Sequence, residues 1–219
     1  MRKLLILRPE PGASATATAA TSLGLDPVAC PLFAVEPVAW SVPDAAAFNA
    51  LLLTSANAVR HAGVGLRQLA SLPVVAVGET TAQAARRAGF DVRSVGGAGV
   101  EALLATLPGS QMLLHLCGED RAGAEHAHDI VTRTVYRARA LPNPDLPDLS
   151  GWVVAVHSPR AGARFAELVP DRGHISIAAI SAAAASACES GWERIEHAAR
   201  PSDAALLALA ARLCQSPPR

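Results

Sequence analysis

Hydroxyl side chains stand at three places where an apolar segment gives way to a helical pattern. Ser55 follows LLLT, Ser158 follows VAVH, and Thr81 follows VVAVGET. At the carboxyl end of a parallel strand, the first N–H groups of the next helix can bind an anion, and a hydroxyl there can add a hydrogen bond. The alternative is that each hydroxyl only caps its helix, which Ser and Thr commonly do without any ligand. Both interpretations stay open.

Two further side chains carry groups suited to binding or proton donation. Arg8 ends the first apolar segment, where its guanidinium could make a bidentate contact with a carboxylate; the alternative is a solvated edge residue. Tyr136, the single tyrosine, lies in the β-prone segment TRTVYRARAL. In a strand, the tyrosine faces one side while Arg137 and Arg139 share the other. A phenol donates hydrogen bonds at neutral pH, although β-propensity alone could also explain this aromatic residue.

The chain contains an internal repeat. Residues 51–59 (LLLTSANAV) correspond to residues 154–162 (VAVHSPRAG), and residues 74–95 correspond to residues 177–197. An amphipathic helix follows each copy, GVEALLATL in the first and SDAALLALAARL in the second. A shorter similarity joins ILRPEPG to HLCGEDRAG. The order is therefore B, A, B, A, where B is a strand with a helix and A alternates strands with helices, which predicts α/β halves with parallel sheets and right-handed crossovers.

The longer repeat places a glycine after each of two corresponding helices. Gly89 follows AARRA, and Gly191 follows the alanine-rich segment AAAASACES. Helices commonly end with a left-handed residue, and glycine adopts that conformation without steric cost. We therefore expect both helices to end at these glycines.

Two β-prone segments bounded by proline, Cys30–Val38 and Thr132–Leu141, separate each B segment from the next A segment. If the first B folds with the second A, and the second B with the first A, the chain crosses between domains twice. Two adjacent crossing strands would form a ribbon that acts as a hinge over a cleft. The predicted domains are residues 1–36 with 142–219, and residues 37–141, with crossover strands near 29–38 and 132–141.

Composition excludes several classes of partner. The 219 residues carry 19 basic and 19 acidic side chains without a long run of one sign, which argues against nucleic acid or an anionic membrane surface as a partner. The four cysteines form no C-x-x-C pair and no histidine stands at zinc-ligand spacing, so neither disulfides nor a metal site is expected. The apolar N-terminal run is too short for a signal peptide. We expect a cytoplasmic protein.

The strings LRPEPG, LLLTSANAV, VGETTA, VYRARAL and HSPRAG, in this order and spacing, resemble uroporphyrinogen-III synthases over nearly the whole chain. The resemblance implies two flavodoxin-like parallel-sheet domains joined by a two-stranded β ribbon, with the active-site cleft between them. It implies that the enzyme, a cyclising lyase of tetrapyrrole biosynthesis, converts hydroxymethylbilane to uroporphyrinogen III. The reaction loses water and inverts ring D through a spiro intermediate, and it needs no cofactor.

The resemblance also assigns expected roles to residues. Tyr136 matches a tyrosine that the family places beside the departing hydroxyl, while Thr81, Ser55 and Ser158 match substrate-binding hydroxyl positions. The chain departs from the family in ISAAAASA, where relatives carry Gly and Thr; Ser181 is expected to replace the missing hydroxyl. We further expect a monomer that can receive hydroxymethylbilane in a transient handover from hydroxymethylbilane synthase.

Two other functions compete with this interpretation. A flavodoxin-like flavin-binding protein is suggested by the hydroxyls Ser14, Thr16 and Thr18 after the first strand, and it would purify as a yellow protein. A non-catalytic bilobed protein that binds small anions would share the hinge and cleft but would need no donor for a leaving group. A receiver domain is disfavoured because Arg8, not an acidic pair, ends the first strand.

Overall fold

The computed structural model describes residues 1–97, 99–119 and 128–217. Strands and helices alternate along most of this part of the chain, joined in places by short 3-10 helices. In chain order they are β1 (Leu4–Ile6), α1 (Gly12–Ser22), β2 (Pro27–Ala29), β3 (Phe33–Pro37), β4 (Ala50–Leu53), α2 (Ala56–His61), β5 (Val74–Val77), α3 (Glu79–Arg87), β6 (Val92–Gly96), α4 (Val100–Leu104), β7 (Met112–Gly118), β8 (Asp129–Ala140), β9 (Val153–Val156), α5 (Pro159–Leu168), β10 (Ser176–Ala179), α6 (Ala182–Ala187), β11 (Arg194–His197) and α7 (Asp203–Gln215).

The chain folds into two compact units. Unit 1 consists of Met1–Ala34 with Ala140–Arg219, and unit 2 consists of Val35–Arg139. The chain therefore passes from one unit to the other within β3 and again within β8. Unit 1 is built from both ends of the sequence, and unit 2 from its middle.

The sheet of unit 1 has the strand order β2-β1-β9-β10-β11, and all its neighbouring strands are parallel. Numbered in chain order within the unit, this is the 2-1-3-4-5 order of a doubly wound fold. Strands β1, β9 and β10 are buried throughout, as parallel strands covered on both faces must be. Helices α1 and α7 contribute to the core on one face, and on the other Phe165 of α5 stacks on Trp192 at 5.2 Å between ring centroids.

The sheet that contains the strands of unit 2 has the order β3-β8-β7-β4-β5-β6. From β8 to β6 the neighbouring strands are parallel, and the order is again 2-1-3-4-5 if the count begins at β7. Leucines of β4 and β7 pack with α2 and α3 on one face, and Leu103 and Leu104 of α4 cover the other. Val38, the residue after β3, donates its N–H to the carbonyl of Val135 on β8 at 3.0 Å.

The predicted α/β class with parallel sheets is confirmed. The repeat explains why the two sheets share one strand order: each combines a B segment with the A segment of the other half. Among the described residues, no helix has both the length and the apolar character needed to cross a membrane.

Candidate functional site

Three of the predicted site residues of unit 1 lie at the same edge of its sheet. Ser158 and Ser181 follow the carboxyl ends of β9 and β10, and Arg8 follows that of β1. Since Ala179 pairs with Val156, two further residues along the parallel strands bring Ser181 beside Ser158. Each serine has an extended backbone and caps the next helix: Ser158 Oγ accepts from Ala161 N at 3.2 Å, and Ser181 Oγ from Ala184 N at 3.2 Å.

A third hydroxyl at this edge was missed by the sequence analysis. Ser202 is the N-cap of α7, and its Oγ accepts from Ala205 N at 3.3 Å. The signal was present in SDAALL, a serine directly before an amphipathic run that also has an acidic residue in its first turn. The hydroxyls of unit 1 therefore come from the starts of three helices.

Arg8 is held by side chains of its own unit. Its Nη1 lies 3.0 Å from both carboxylate oxygens of Asp203 and donates to Thr16 Oγ1 at 3.2 Å. Thr16 Oγ1 in turn donates to Asp203 Oδ2 at 2.8 Å, and Nε2 of His157, whose side chain is 7% exposed, lies 3.1 Å from Asp203 Oδ1. The side chain of Arg8 remains one third exposed. Arg8 thus lies at the predicted edge of the sheet, and its guanidinium is already paired with the carboxylate of Asp203.

The carboxylate of Asp203 is the centre of this network. Its contact with His157 is the largest effect that lowers its pKa, and Thr16 and Arg8 lower it further; burial opposes them, and the pKa is about 2. Asp203 is therefore an anion throughout the neutral range. Because it also stands in the first turn of α7, it interacts favourably with the positive end of that helix.

Hydroxyls of unit 2 likewise follow its parallel strands. Ser55 comes after β4 and caps α2, with its Oγ accepting from Asn57 N at 3.2 Å. Thr81 comes after the neighbouring strand β5, but it does not cap its helix: Gly78 is the N-cap of α3, and Thr81 is buried in the first turn. The capping interpretation therefore holds for Ser55 and fails for Thr81.

Tyr136 lies on β8 of unit 2, half-buried against the core, while Arg137 and Arg139 on the opposite face are exposed. The predicted alternation of this strand is thus confirmed. A β-bulge lies where Cys117 pairs with Thr134 and Gly118 pairs with Tyr136, so one extra residue of β8 brings the phenol to the carboxyl end of β7.

A groove of about 490 Å³ lies beside this tyrosine in unit 2. Trp40, Val42 and His61 are among its lining residues, and the His61 ring lies 6.2 Å from that of Tyr136, centroid to centroid. Burial lowers the pKa of His61, and the neighbouring Arg60 lowers it further, which favours neutral imidazole. The groove offers an apolar surface and a histidine next to a phenol.

The hydroxyls that suggested a flavin site are used within unit 1. Ser14, Thr16 and Thr18 lie on α1 and not in a loop. Ser14 Oγ donates to Glu10 Oε1 at 2.8 Å, Thr18 Oγ1 donates to Ser14 O at 2.9 Å, and Thr16 is fully buried beside Asp203. Nothing in this segment favours a flavin. Within the three described ranges, no group of three His, Cys, Asp or Glu side chains is arranged to hold a metal ion.

The arrangement defines a doubly wound α/β protein whose parallel strands lead into hydroxyls and helix starts suited to carboxylates. The sequence model of the family described as uroporphyrinogen-III synthase HemD matches residues 14–208. The chain belongs to this family.

Solved structures resemble the chain in fold. A uroporphyrinogen-III synthetase from Helicobacter pylori superposes with a TM-score of 0.71 at 20% identity, covering 97% of this chain and 100% of that chain. A mutant uroporphyrinogen III synthase from Thermus thermophilus gives a TM-score of 0.53 at 19% identity, covering 97% and 99%. None of the curated proteins compared with the chain matches it in sequence.

Proposed function

We propose that this chain is a uroporphyrinogen-III synthase, a cyclising lyase that closes hydroxymethylbilane to uroporphyrinogen III in tetrapyrrole biosynthesis. The family match over residues 14–208 carries the proposal. The reaction removes the terminal hydroxyl to give an azafulvene, whose electrons come from the pyrrole itself. The substituted carbon of ring D then attacks to form a spiro intermediate, which fragments and closes again with ring D inverted.

The hydroxyls at the carboxyl ends of the strands support a role in binding this substrate. Hydroxymethylbilane carries acetate and propionate groups, and each helix start can contribute about 0.3–1 kcal/mol toward binding an anion, in addition to hydrogen bonds. We assign Arg8, Ser55, Thr81, Ser158 and Ser181 to substrate binding. Arg8 binds a carboxylate only in competition with Asp203, which already engages its guanidinium.

The principal task of the protein is geometric. Closure without rearrangement joins the unsubstituted carbon of ring D, so the enzyme must make the more hindered carbon the one in position to attack, an orientation effect that supplies several kcal/mol. The site must also keep water from the azafulvene. Tyr136 acts at the first step: its hydroxyl donates a hydrogen bond to the leaving hydroxyl of the substrate.

We propose further that the two units are domains joined by β3 and β8 as a ribbon, and that the substrate binds between them. Support comes from the passage of the chain between units within these two strands and from the Val38 to Val135 hydrogen bond. The protein acts as a cytoplasmic monomer that can receive hydroxymethylbilane directly from hydroxymethylbilane synthase.

The test is incubation of the purified chain with hydroxymethylbilane, followed by oxidation and chromatographic separation of the ring isomers. The expected result is a clear excess of the type III isomer over a control without enzyme, in which type I predominates. A second control uses heat-denatured protein. Equal isomer ratios in the sample and both controls would refute the assignment.

A further inference from the structure

Gly118, the last residue of β7, lies directly against the phenol of Tyr136. The two residues are paired across β7 and β8. A Cβ built on Gly118 would lie 2.7 Å from Cε2 and from Cζ of the Tyr136 ring, and 3.0 Å from its hydroxyl oxygen. Favourable carbon contacts are about 3.5–4.0 Å, so no side chain fits at Gly118 while the ring stays where it is.

Space, and not backbone conformation, requires the glycine here. Gly78 and Gly99 have positive φ angles, which glycine adopts freely, but the φ of Gly118 lies outside the left-handed region. An alanine at position 118 can therefore keep the backbone, and the three atoms nearest to its methyl group all belong to the side chain of Tyr136. The bulge beside this pair matters because it sets Tyr136 opposite Gly118.

The backbone around Tyr136 is fixed on both sides. The carbonyl of Tyr136 accepts from Glu119 N at 3.0 Å, and the ladder of β7 and β8 continues on the other side of the bulge. The ring also lies against His61 at a tilt of 38°. A new methyl group at position 118 must therefore move the ring and its hydroxyl, since the strand is held.

We propose that Gly118 is a positioning residue, which sets where the hydroxyl of Tyr136 stands by leaving room for the ring. This inference rests on the proposed function, in which that hydroxyl donates to the leaving group of hydroxymethylbilane. Gly118 itself has no group that reacts. It determines the direction in which the donor points.

The test begins with Gly118→Ala. Placing the methyl at normal contact distance displaces the phenol by about 1 Å, and a displacement of that size lowers a rate by about tenfold to a hundredfold. We expect this loss in kcat, with KM within about twofold of the original, because binding uses other groups. An unchanged kcat, or a loss confined to KM, overturns the proposal.

Two control variants separate positioning from stability. Gly162→Ala in unit 1 introduces a comparable conflict, 2.8 Å from Cys188 Sγ and 2.9 Å from Ala184 O, whereas Gly97→Ala meets nothing within 4 Å. Gly162→Ala is expected to lower the unfolding midpoint in urea while kcat stays near that of the original. If Gly162→Ala lowers kcat as much as Gly118→Ala does, the loss reflects stability and the proposal fails.

Because Tyr136 is the single tyrosine, its placement can be measured without any activity. Protein with ¹³C-labelled tyrosine rings gives one set of ring signals, and Gly118→Ala is expected to shift them clearly, while Gly97→Ala and Gly162→Ala leave them in place. Unshifted signals in Gly118→Ala overturn the proposal. If the original chain forms no type III isomer, the proposed function fails, and these signals still decide whether Gly118 places the ring.

A double variant tests whether Gly118 acts through the tyrosine. In a Tyr136→Phe background, Gly118→Ala is expected to lower kcat by less than twofold, because the hydroxyl that it displaces is already absent. A full additional loss would refute the route through Tyr136. Should Gly118→Ala fail to fold, adding Tyr136→Ala is expected to restore folding by removing the ring, and no recovery counts against the proposal.

Discussion

Arg8 and Asp203, which are 195 residues apart in the chain, form an ion pair in which one guanidinium nitrogen lies 3.0 Å from both carboxylate oxygens. The pair joins the segment after β1 to the first turn of α7. His157 belongs to the same network because the pairing of Ile6 with Ala155, continued by two residues, brings it beside Arg8. Arg8 and His157 both contact the carboxylate of Asp203 in the first turn of α7. Any carboxylate that binds Arg8 in addition would have to share its guanidinium with Asp203.

Because of the Asp203 network, the stability of the protein should depend on pH in the acidic range. The pKa of Asp203 is lowered from 3.8 to about 2 in the folded chain, chiefly by His157. A carboxylate of this kind stabilises the fold above its unfolded pKa, and that stabilisation disappears as pH falls through the folded value. Asp203→Asn should therefore lower the free energy of unfolding by a constant amount above about pH 5. The difference in the free energy of unfolding between the original protein and the variant should become smaller between about pH 4 and pH 2.

Urea unfolding of both proteins at a series of pH values measures this difference. Asp171→Asn is the matched control. The side chain of Asp171 is 90% exposed, and its contact with His174 is long, 3.9 Å between Oδ1 and Nδ1. The control should follow the original protein at every pH. A difference between the original and Asp203→Asn that stays constant down to pH 2 would contradict the assigned pKa.

The repeat and the parallel α/β class could be predicted from the sequence because they depend on the periodicity of apolar residues and on Ser and Gly at the starts and ends of helices. Gly89 does follow α3 with a φ of 90°. The expectation for Gly191 was wrong: α6 ends at Ala187, and Glu189 takes the positive φ of 60°. The indole of Trp192 donates to Cys188 O at 2.7 Å and satisfies a carbonyl at this end. This contact is local, between residues four apart in the chain, and comparison of the two copies of the repeat did not indicate it.

The positions of the candidate site residues at the strand ends could be predicted one by one, but the network that joins some of them could not. A serine between a strand and a helix predicts its own position, as Ser55, Ser158 and Ser181 show. The contact of Asp203 with Arg8 joins distant segments, and no local spacing indicates it. The bulge that sets Tyr136 opposite Gly118 inserts one residue into a strand whose alternation otherwise looks regular. Pairing across strands decides such features, and a single sequence does not record it.

A buried ion pair in unit 1 should be costly to break. The side chains of Arg2 and Glu193 are 7% and 4% exposed, their charged atoms are 2.7 Å apart, and Ser176 Oγ donates to the same carboxylate at 3.0 Å. Glu193→Ala leaves a buried guanidinium without its counter-ion and should lower the free energy of unfolding by about 3–5 kcal/mol. Chemical denaturation measures the loss.

The double variant Arg2→Met/Glu193→Leu is the informative companion. Replacing both charges with apolar side chains removes the uncompensated charge, so most of the loss should be recovered. A double variant as unstable as Glu193→Ala would show that the uncompensated charge is not the main cost, and that other contacts, such as the hydrogen bonds of Arg2 to the carbonyls of Gly151 and Trp152, stabilise this part of unit 1.

Ser158 allows helix capping to be separated from substrate binding. Asn and Asp cap helices about as well as Ser, whereas Ala costs about 0.5–2 kcal/mol, so Ser158→Asn and Ser158→Asp should both keep the stability that Ser158→Ala loses. If this helix start binds a substrate carboxylate, the new charge of Ser158→Asp should raise KM by about tenfold over Ser158→Asn. Added salt should weaken this effect by screening.

Steady-state kinetics with hydroxymethylbilane at low and moderate salt, together with urea unfolding of the three variants, makes this comparison. Equal KM values for Ser158→Asn and Ser158→Asp would limit Ser158 to its capping role. Because an acidic residue at a helix start is favourable for the helix itself, a raised KM in Ser158→Asp cannot be attributed to loss of folding.

Tyr136→Phe separates the two tasks proposed for the enzyme. The change removes the donor to the leaving hydroxyl and keeps the ring that packs on the core of unit 2, so kcat should fall by about tenfold to a hundredfold while the unfolding midpoint stays the same. The product should still be mainly the type III isomer, because the orientation of ring D depends on the shape of the site and not on this donor. Isomer analysis beside the rate distinguishes the outcomes: an unchanged rate removes the phenol from the mechanism, and a change to type I would mean that Tyr136 also orients ring D.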